Sequence, residues 1–459
     1  MRTLRTTGIV VALALAWVPA SPVRAQTSPD DPIVVSAEHP RLLLRPARLR
    51  LLKRERERTS MRWQQLEALV QGNAEFPEPG FAYALYYAVS SDAAAGQKAV
   101  AWALGPATDL RQMALVFDWC LPLLTADQQH ALVSRIQKRM AETAADNSVS
   151  AVRSRIFAAI ALFDETPQGP RQELDRDVRG WWLGKLAPAL KSGRGVLERD
   201  DAYPFWELLH AVRDTTNLDL RDDAVDYFKD YPLEHLLSYY PATYPSPEND
   251  YYIGASPKTG EPDLRLAVLS RAAEMAMTAF DVNAPETQIL QGWLMHDRFL
   301  MRSPFGAPYE FLWANPYQPG LSYVNAPLVL YDSTSGRLFV RSSWEESARW
   351  FGAFDGVMQT FSDGRAVNLN PELAAPPLPM TEATICFGKV SRKFTVALED
   401  AQPVFVVGLE PRHSYAVEVD DEELYEATSD PAGILSLDDV PSGKAVGIRL
   451  SELRPSSAQ

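Results

Sequence analysis

From about Arg45 to Met301, apolar residues recur every three or four positions in runs of 10 to 20 residues separated by short polar breaks. That spacing predicts helix after helix. HPRLLLRPARLRLLKRERERTSMRWQQLEALV opens the series, with Leu49, Leu52, Trp63 and Leu66 in helical register and its charge run on a solvated face. FAYALYYAVS, AAAGQKAVAWAL, LRQMALVFDWCLPLL and VRSRIFAAIALF continue it. Thr125 and Gln128 form a capping box ahead of an apolar stripe of Leu132, Val133, Ile136 and Met140. A helical stretch with Trp181 and Trp182 spans 166–190, and a further helix begins near Phe205. The pattern resumes at Asp263–Phe280 and at Glu286–Met301, the latter capped by Asn283 with Pro285 in its first turn. No strand-like alternation interrupts residues 45–305. Helical hairpins in such number bury both faces by stacking or by closing on themselves; without a fixed repeat, an (α/α) toroid over 39–305 is expected.

After Arg302 the character changes. SPFGAPYEFLWANPYQPGLSY, rich in Pro, Gly and aromatic residues, reads as an interdomain linker over 306–326. From Pro327 short alternating runs with turn signals follow, from LVLYD and RLFVRSSW through KFTVALE, PVFVVGLE and KAVGIRL. They predict a C-terminal antiparallel β-sandwich over 327–459, in two sections if the Pro-rich stretch 371–379 divides it.

The first 25 residues combine Arg2 and Arg5, the apolar run GIVVALALAWV, and Val23 and Ala25 ahead of Gln26, as in an export signal cleaved after Ala25. The apolar run is about half of the roughly 20 residues a spanning helix needs. A periplasmic or secreted protein without membrane insertion is expected, with 26–38 a polar linker. Cleavage would leave 42 basic against 59 acidic residues, a net charge of −17. So acidic a surface argues against nucleic acid or anionic membrane as a partner, while a small cleft can still be locally basic. Cys120 and Cys386, in different regions, are expected to be buried free thiols. No HExxH, CxxC, P-loop or dinucleotide fingerprint stands in its required context, so no cofactor and no catalytic metal is expected; the many carboxylates leave room for a structural Ca²⁺.

Candidate chemistry concentrates between His210 and Arg265, where a Pro-rich polar loop (241–262) interrupts two helical patterns. Glu207, His210 and Asp214 fall at i, i+3 and i+7, with Trp206 and Arg213 alongside, either an imidazole poised to move a proton or a salt-bridged helix face. In SPENDYYIG, Asn249 can bind a carboxylate or sugar hydroxyl, and Tyr251 or Tyr252 can transfer a proton; ordinary loop packing is the competing reading. Tyr239, Tyr240 and Tyr244 offer rings for stacking on sugar faces or for core packing. Arg265 either neutralises an anion or pairs with Glu261 and Asp263. His235 and His296 read as packing histidines. Tyr309, Glu310, Trp313, Asn315 and Tyr317 either line an interdomain cleft or join the domains.

Three motifs carry a family resemblance: HPRLLLRPARLRLLK, ALVFDWCLPLLTADQQHAL and GRLFVRSSWEESARWFGAFDG. Through them the chain resembles the heparinase II/III-like exported polysaccharide lyases, which join an α/α toroid to a β-sandwich. The resemblance implies metal-independent β-elimination on a uronate-containing polysaccharide. Tyr251 or Tyr252 with His210 would move protons, and Asn249 with Arg213 or Arg265 would neutralise the carboxylate, with Trp206, Tyr244 and Trp313 against the substrate. Family members also use a histidine of the β region, where only His413 follows residue 300 here. The alternative is a catalytically inactive glycan-binding or cell-envelope scaffold protein. A third reading, a glycoside hydrolase, requires carboxylates such as Glu248, Asp250 or Glu207 opposed across a cleft.

Overall fold

The computed structural model of the chain describes residues 32–165, 169–193, 197–246, 249–258, 260–296, 301–373, 375–420 and 423–453. The export signal expected over residues 1–25 lies outside them. Up to residue 193 the helices are α1 (Pro46–Glu57), α2 (Met61–Gln71), α3 (Pro79–Ser90), α4 (Ala93–Leu104), α5 (Leu110–Cys120), α6 (Ala126–Glu142), α7 (Val149–Ala161), α8 (Gly169–Asp175) and α9 (Ala187–Lys191), the last two joined by a π-helical segment, Arg176–Leu186. Beyond it stand α10 (Arg199–Thr215), α11 (Val225–Leu237), α12 (Leu264–Phe280), α13 (Pro285–His296) and α14 (Gly306–Trp313). Short polar side chains start many of them. Ser60, Asp92, Asp109, Ser148 and Asp263 each accept a backbone amide of the first turn, and Thr125 with Gln128 makes the expected reciprocal box.

Two elements depart from the pattern read along the chain. α10 starts at Arg199, not near Phe205, because Pro204 sits inside the helix and mimics a helix start. Residues 306–313, expected to be linker, form α14, every residue of which is buried in the helical core. The helices follow a circuit of neighbours: α3 packs on α5, α5 on α7, α7 on α10, α10 on α12, α12 on α14, and α14 on α3.

A hairpin of β1 (Tyr239–Tyr244) and β2 (Tyr251–Gly254) interrupts the helical half, where no strand was expected. Beyond α14, β3 (Val329–Asp332), β4 (Arg337–Arg341), β5 (Trp350–Phe354), β6 (Val357–Ser362) and β7 (Arg365–Asn368) form an antiparallel meander. The remaining strands are β8 (Leu378–Pro379), β9 (Thr384–Phe387), β10 (Lys393–Ala397), β11 (Val404–Val407), β12 (Ser414–Val419), β13 (Glu423–Thr428), β14 (Leu435–Leu437) and β15 (Ala445–Glu452). They make two four-stranded sheets, ordered β14-β11-β9-β8 and β10-β15-β12-β13.

Side-chain alternation stacks the three sheets into layers. Phe339, Trp350, Phe354 and Phe361 of the meander join the helical core, while Leu338, Val340, Phe351 and Ala353 pack on Ile385, Phe405 and Val407 of the next sheet. Val404 and Val406 then face Val396, Tyr415, Val417, Val446 and Ile448 of the outer sheet. The middle sheet is therefore buried on both faces, and among the described residues it holds the one departure from an antiparallel β region, the parallel pair β9–β11. Cys120 and Cys386 are buried free thiols, both pushed up to about 12 chiefly by burial.

Candidate functional site

Where the hairpin meets the meander, a groove of about 710 Å³ opens. Arg199 and Tyr240 form part of its wall, Tyr244 and Phe361 supply further rings, and Lys258 stands in the loop after β2. Tyr240 is held rigidly. Its hydroxyl donates to Gln359 Oε1 at 2.8 Å and accepts from Ser256 N at 3.3 Å, while its ring stacks on Phe361 at 5.4 Å and meets Trp350 edge-on at 5.3 Å. Five carboxylates, Glu198, Asp200, Glu261, Asp263 and Asp355, line the groove against the two cations Arg199 and Lys258. Its potential is therefore negative. Burial and Asp355 raise Glu198 above its usual value although Arg337 lies 3.7 Å away, and that arginine also reaches Asp355 at 2.7 Å.

Behind the groove wall lies a buried titratable cluster. Arg199 passes beneath Gly254, where a Cβ would fall 2.2 Å from its side chain, and its guanidinium reaches His235 Nε2 at 3.0 Å and the His235 carbonyl at 2.5 Å. The same Nε2 lies 3.4 Å from the Tyr239 hydroxyl and 3.3 Å from Glu274 Oε1. Burial, aided by Arg199, holds His235 well below its usual range, so its neutral ring accepts from the arginine. Burial pushes Glu274 from 4.5 up to about 7. Close to a neutral imidazole, the carboxyl is favoured protonated. Because the folded state binds this proton more tightly than the unfolded chain, Glu274 contributes stability below pH 4.5 that is lost as pH rises through 7. Glu274→Gln is accordingly expected to leave stability near pH 5 unchanged and to raise it at pH 8.5. Urea unfolding at both pH values checks this, and equal shifts at the two would refute the proton linkage.

The hairpin brings Tyr251 and Tyr252 to this cluster but buries both. Tyr251 lies under the Arg271 guanidinium at 4.5 Å, and Tyr252 packs on Trp293 at 4.5 Å, close-packed with Tyr239 and Glu274 and leaving no space for a water-sized ligand between them. His210 is elsewhere. Its Nε2 donates to the Ala276 carbonyl at 2.8 Å, and its ring packs on Trp313 and Phe280, a satisfied core histidine whose basicity burial lowers. Arg213 bonds the Phe280 carbonyl at 2.5 Å and Asp214 at 3.0 Å. Trp206 sits among Phe228, Tyr231 and Phe280. Trp313 Nε1 donates to Tyr203 within the core, not into an interdomain cleft, and Glu310 accepts the Met301 amide there. Asn249 is half-buried with its backbone tied to Ser246, and Arg265 is exposed over the Phe305 ring. Of the proposed set, Tyr244 alone lines the groove.

The two hydrolase candidates among the described residues, Glu207 and Asp250, do not line the groove. Glu207 is buried in ion pairs with Arg111 and Arg153, Asp250 is exposed, and Glu248 lies outside the described residues. His235, expected to be a packing histidine, is buried, but it packs within a titratable cluster whose Arg199 and Glu274 were not among the expected site residues. Its spacing of four from Tyr239 was the available signal, masked by the leucines around it. Among the described residues no group of three or more His, Cys, Asp or Glu is placed to hold a metal, and no helix is long and apolar enough to cross a membrane.

No family model matches this chain, and no curated protein matches it. Among solved structures, one named "Glycoside hydrolase" is similar over 82% of this chain and 71% of that one, at 8% sequence identity and a TM-score of 0.31. So distant a likeness transfers neither fold nor activity. The heparinase II/III-like resemblance rests on the three sequence motifs alone.

Proposed function

We propose that this chain is a glycan-binding protein whose groove takes a neutral stretch of polysaccharide. The observation that carries this reading is the groove itself: a rigid wall of aromatic rings beside five carboxylates and two cations. Rings cover the apolar faces of a sugar, carboxylates accept its hydroxyl protons, and the negative potential disfavours a uronate. The circuit of neighbouring helices supports an (α/α) toroid, and the sequence pattern of the first 25 residues supports a periplasmic or secreted location.

Titration calorimetry against neutral and uronate polysaccharides tests it. Neutral glycan is expected to bind, uronate glycan more weakly, and Tyr244→Ala to weaken binding about tenfold, near the ~1.4 kcal/mol typical of losing one useful contact. Undiminished binding by the variant would remove the groove from consideration.

β-Elimination is the second reading, favoured by the Arg199, His235, Tyr239 and Glu274 set directly behind the groove wall. A lyase needs a carboxylate neutraliser and a proton-transfer group, and Arg199 with Tyr239 supplies both types once Arg199 turns toward substrate. Ultraviolet absorbance of an unsaturated uronate product, lost in Tyr239→Phe, would establish it; absence of that product alongside glycan binding supports the binding protein.

A further inference from the structure

A second pocket, of about 590 Å³, lies apart from the groove between α1, the segment Ser36–Arg41 and the end of α10. Its character is the reverse of the groove's. Arg41, Arg45, Arg50 and Lys53 line it with His39, against Glu38 and Asp214. On α1, residues 46, 49, 50 and 53 follow the i, i+3, i+4, i+7 spacing of one helix face, so Arg50 and Lys53 project from the same wall. Neither makes an ion pair among the described residues. In a chain of net charge −14, exposed Arg50 and half-buried Lys53 line the same concavity.

Of the two carboxylates that line the pocket, Glu38 is exposed and Asp214 is already paired. The Asp214 carboxylate is met by Arg213 at 3.0 Å, Arg45 at 3.3 Å and His210 at 3.6 Å, so little of its charge is left for the pocket. At the carbonyl end of α10, the Thr215 oxygen accepts the Ser36 amide at 2.9 Å. Arg41 is 2% exposed and spends its terminal nitrogens on Ile160 O, Ala37 O, Asp164 and His39, leaving its buried Nε without a partner. α1 itself begins without a side-chain cap, so the amides of its first turn add a positive end to the same wall.

We infer that this pocket is a binding site for an oxyanion carried on a hydroxylated ligand, the carboxylate or sulfate of an acidic sugar, held by Arg50 and Lys53 with Arg45 at the helix start. Its volume lies in the range of small-ligand sites, and Ser36 in its lining carries a hydroxyl, while that of Thr216 is spent on the Val212 carbonyl and the Leu218 amide. A protein with an acidic groove and a separate basic pocket would read two chemically different parts of one glycan.

The test is calorimetric titration of the purified full chain with sodium sulfate, sodium glucuronate and glucose at constant ionic strength. Sulfate or glucuronate is expected to saturate one site, and glucose to show none. The double variant Arg50→Glu, Lys53→Glu should weaken that binding at least tenfold with an unchanged melting curve, and Tyr244→Ala should leave it intact. A preference for sulfate identifies a sulfated sugar as the source, and one for glucuronate a uronic acid. If neither anion saturates a site, or if the double variant binds as the wild type does, the assignment is wrong. Because Tyr244 belongs to the groove alone, failure of the groove reading would not be mistaken for failure of this one.

Discussion

Glu207→Gln is expected to destabilise the protein by about 3–5 kcal/mol, the range for breaking a buried ion pair and leaving its partner charged. Glu207 accepts from Arg111 at 2.6 Å, 2.8 Å and 3.0 Å, from Arg153 at 2.8 Å and from the Tyr203 hydroxyl at 2.9 Å. Arg111 also reaches Glu78 at 3.1 Å, and Glu78 accepts the Tyr309 hydroxyl at 2.5 Å. These residues come from α5, α7, α10, α14 and the approach to α3, so the network ties together every helix of the circuit but α12. A neutral amide would keep the shape but leave two guanidinium groups desolvated and undercompensated. Burial alone would raise the Glu207 carboxyl, yet Arg111 and Arg153 hold it below its ordinary 4.5. Its contribution is therefore present above that value and lost as pH falls through the lower folded one. Urea unfolding at pH 7 and pH 4 checks both statements. The variant should show a lower midpoint at pH 7 and a gap that narrows in acid, and the pair Glu207→Gln, Arg111→Met should lose less than the sum of the singles. An unchanged midpoint at pH 7 would show that the network adds nothing to stability.

Trp350→Ala is the second large effect, at about 3–5 kcal/mol for truncating a buried aromatic. This side chain crosses the boundary between the two halves. Its Nε1 donates to the Leu237 carbonyl at the end of α11 at 2.7 Å, and its ring touches Tyr240, Phe339 and Phe354. Removing it leaves a cavity, an unpaired carbonyl and a groove wall without its edge-on support. The expected outcome is a lower melting temperature together with weaker glycan binding. Trp350→Phe should restore much of the packing but not the hydrogen bond. A variant that loses stability while binding glycan with full affinity would show that Tyr240 does not depend on this support.

The division into helices and strands was legible because both periods extend over many residues, and local chemistry such as the Thr125 box needs only four positions to be read. The β1–β2 hairpin was not. Its strands have six and four residues, Pro241 stands in one of them, and Tyr240 is fixed by Gln359, 119 positions away. The stretch singled out for its chemistry does contain the groove wall and the buried cluster, so its importance could be read while its geometry could not. His210 illustrates the reason. Helical spacing placed it beside Arg213 and Asp214, as found, but only the packing of α12 shows that its other nitrogen is spent on Ala276. Arg111 and Glu207 stand 96 residues apart, and no local pattern announces such a pair.

The helical circuit also has a history in time. α3 emerges early from the ribosome, yet one of its neighbours, α14, is made more than 200 residues later, as the separation of 231 between Tyr309 and Glu78 records. Closing so long a loop is entropically expensive and slow compared with pairing adjacent helices. Until Tyr309 arrives, Phe81 on α3 and Arg111 on α5 lack the ring that covers them, and Glu78 has Arg111 but not the Tyr309 hydroxyl as a partner. A chain stopped before residue 306 lacks the packing of α14 on α3 and α12 and the Tyr309 bond to Glu78, so its circuit of neighbours cannot close.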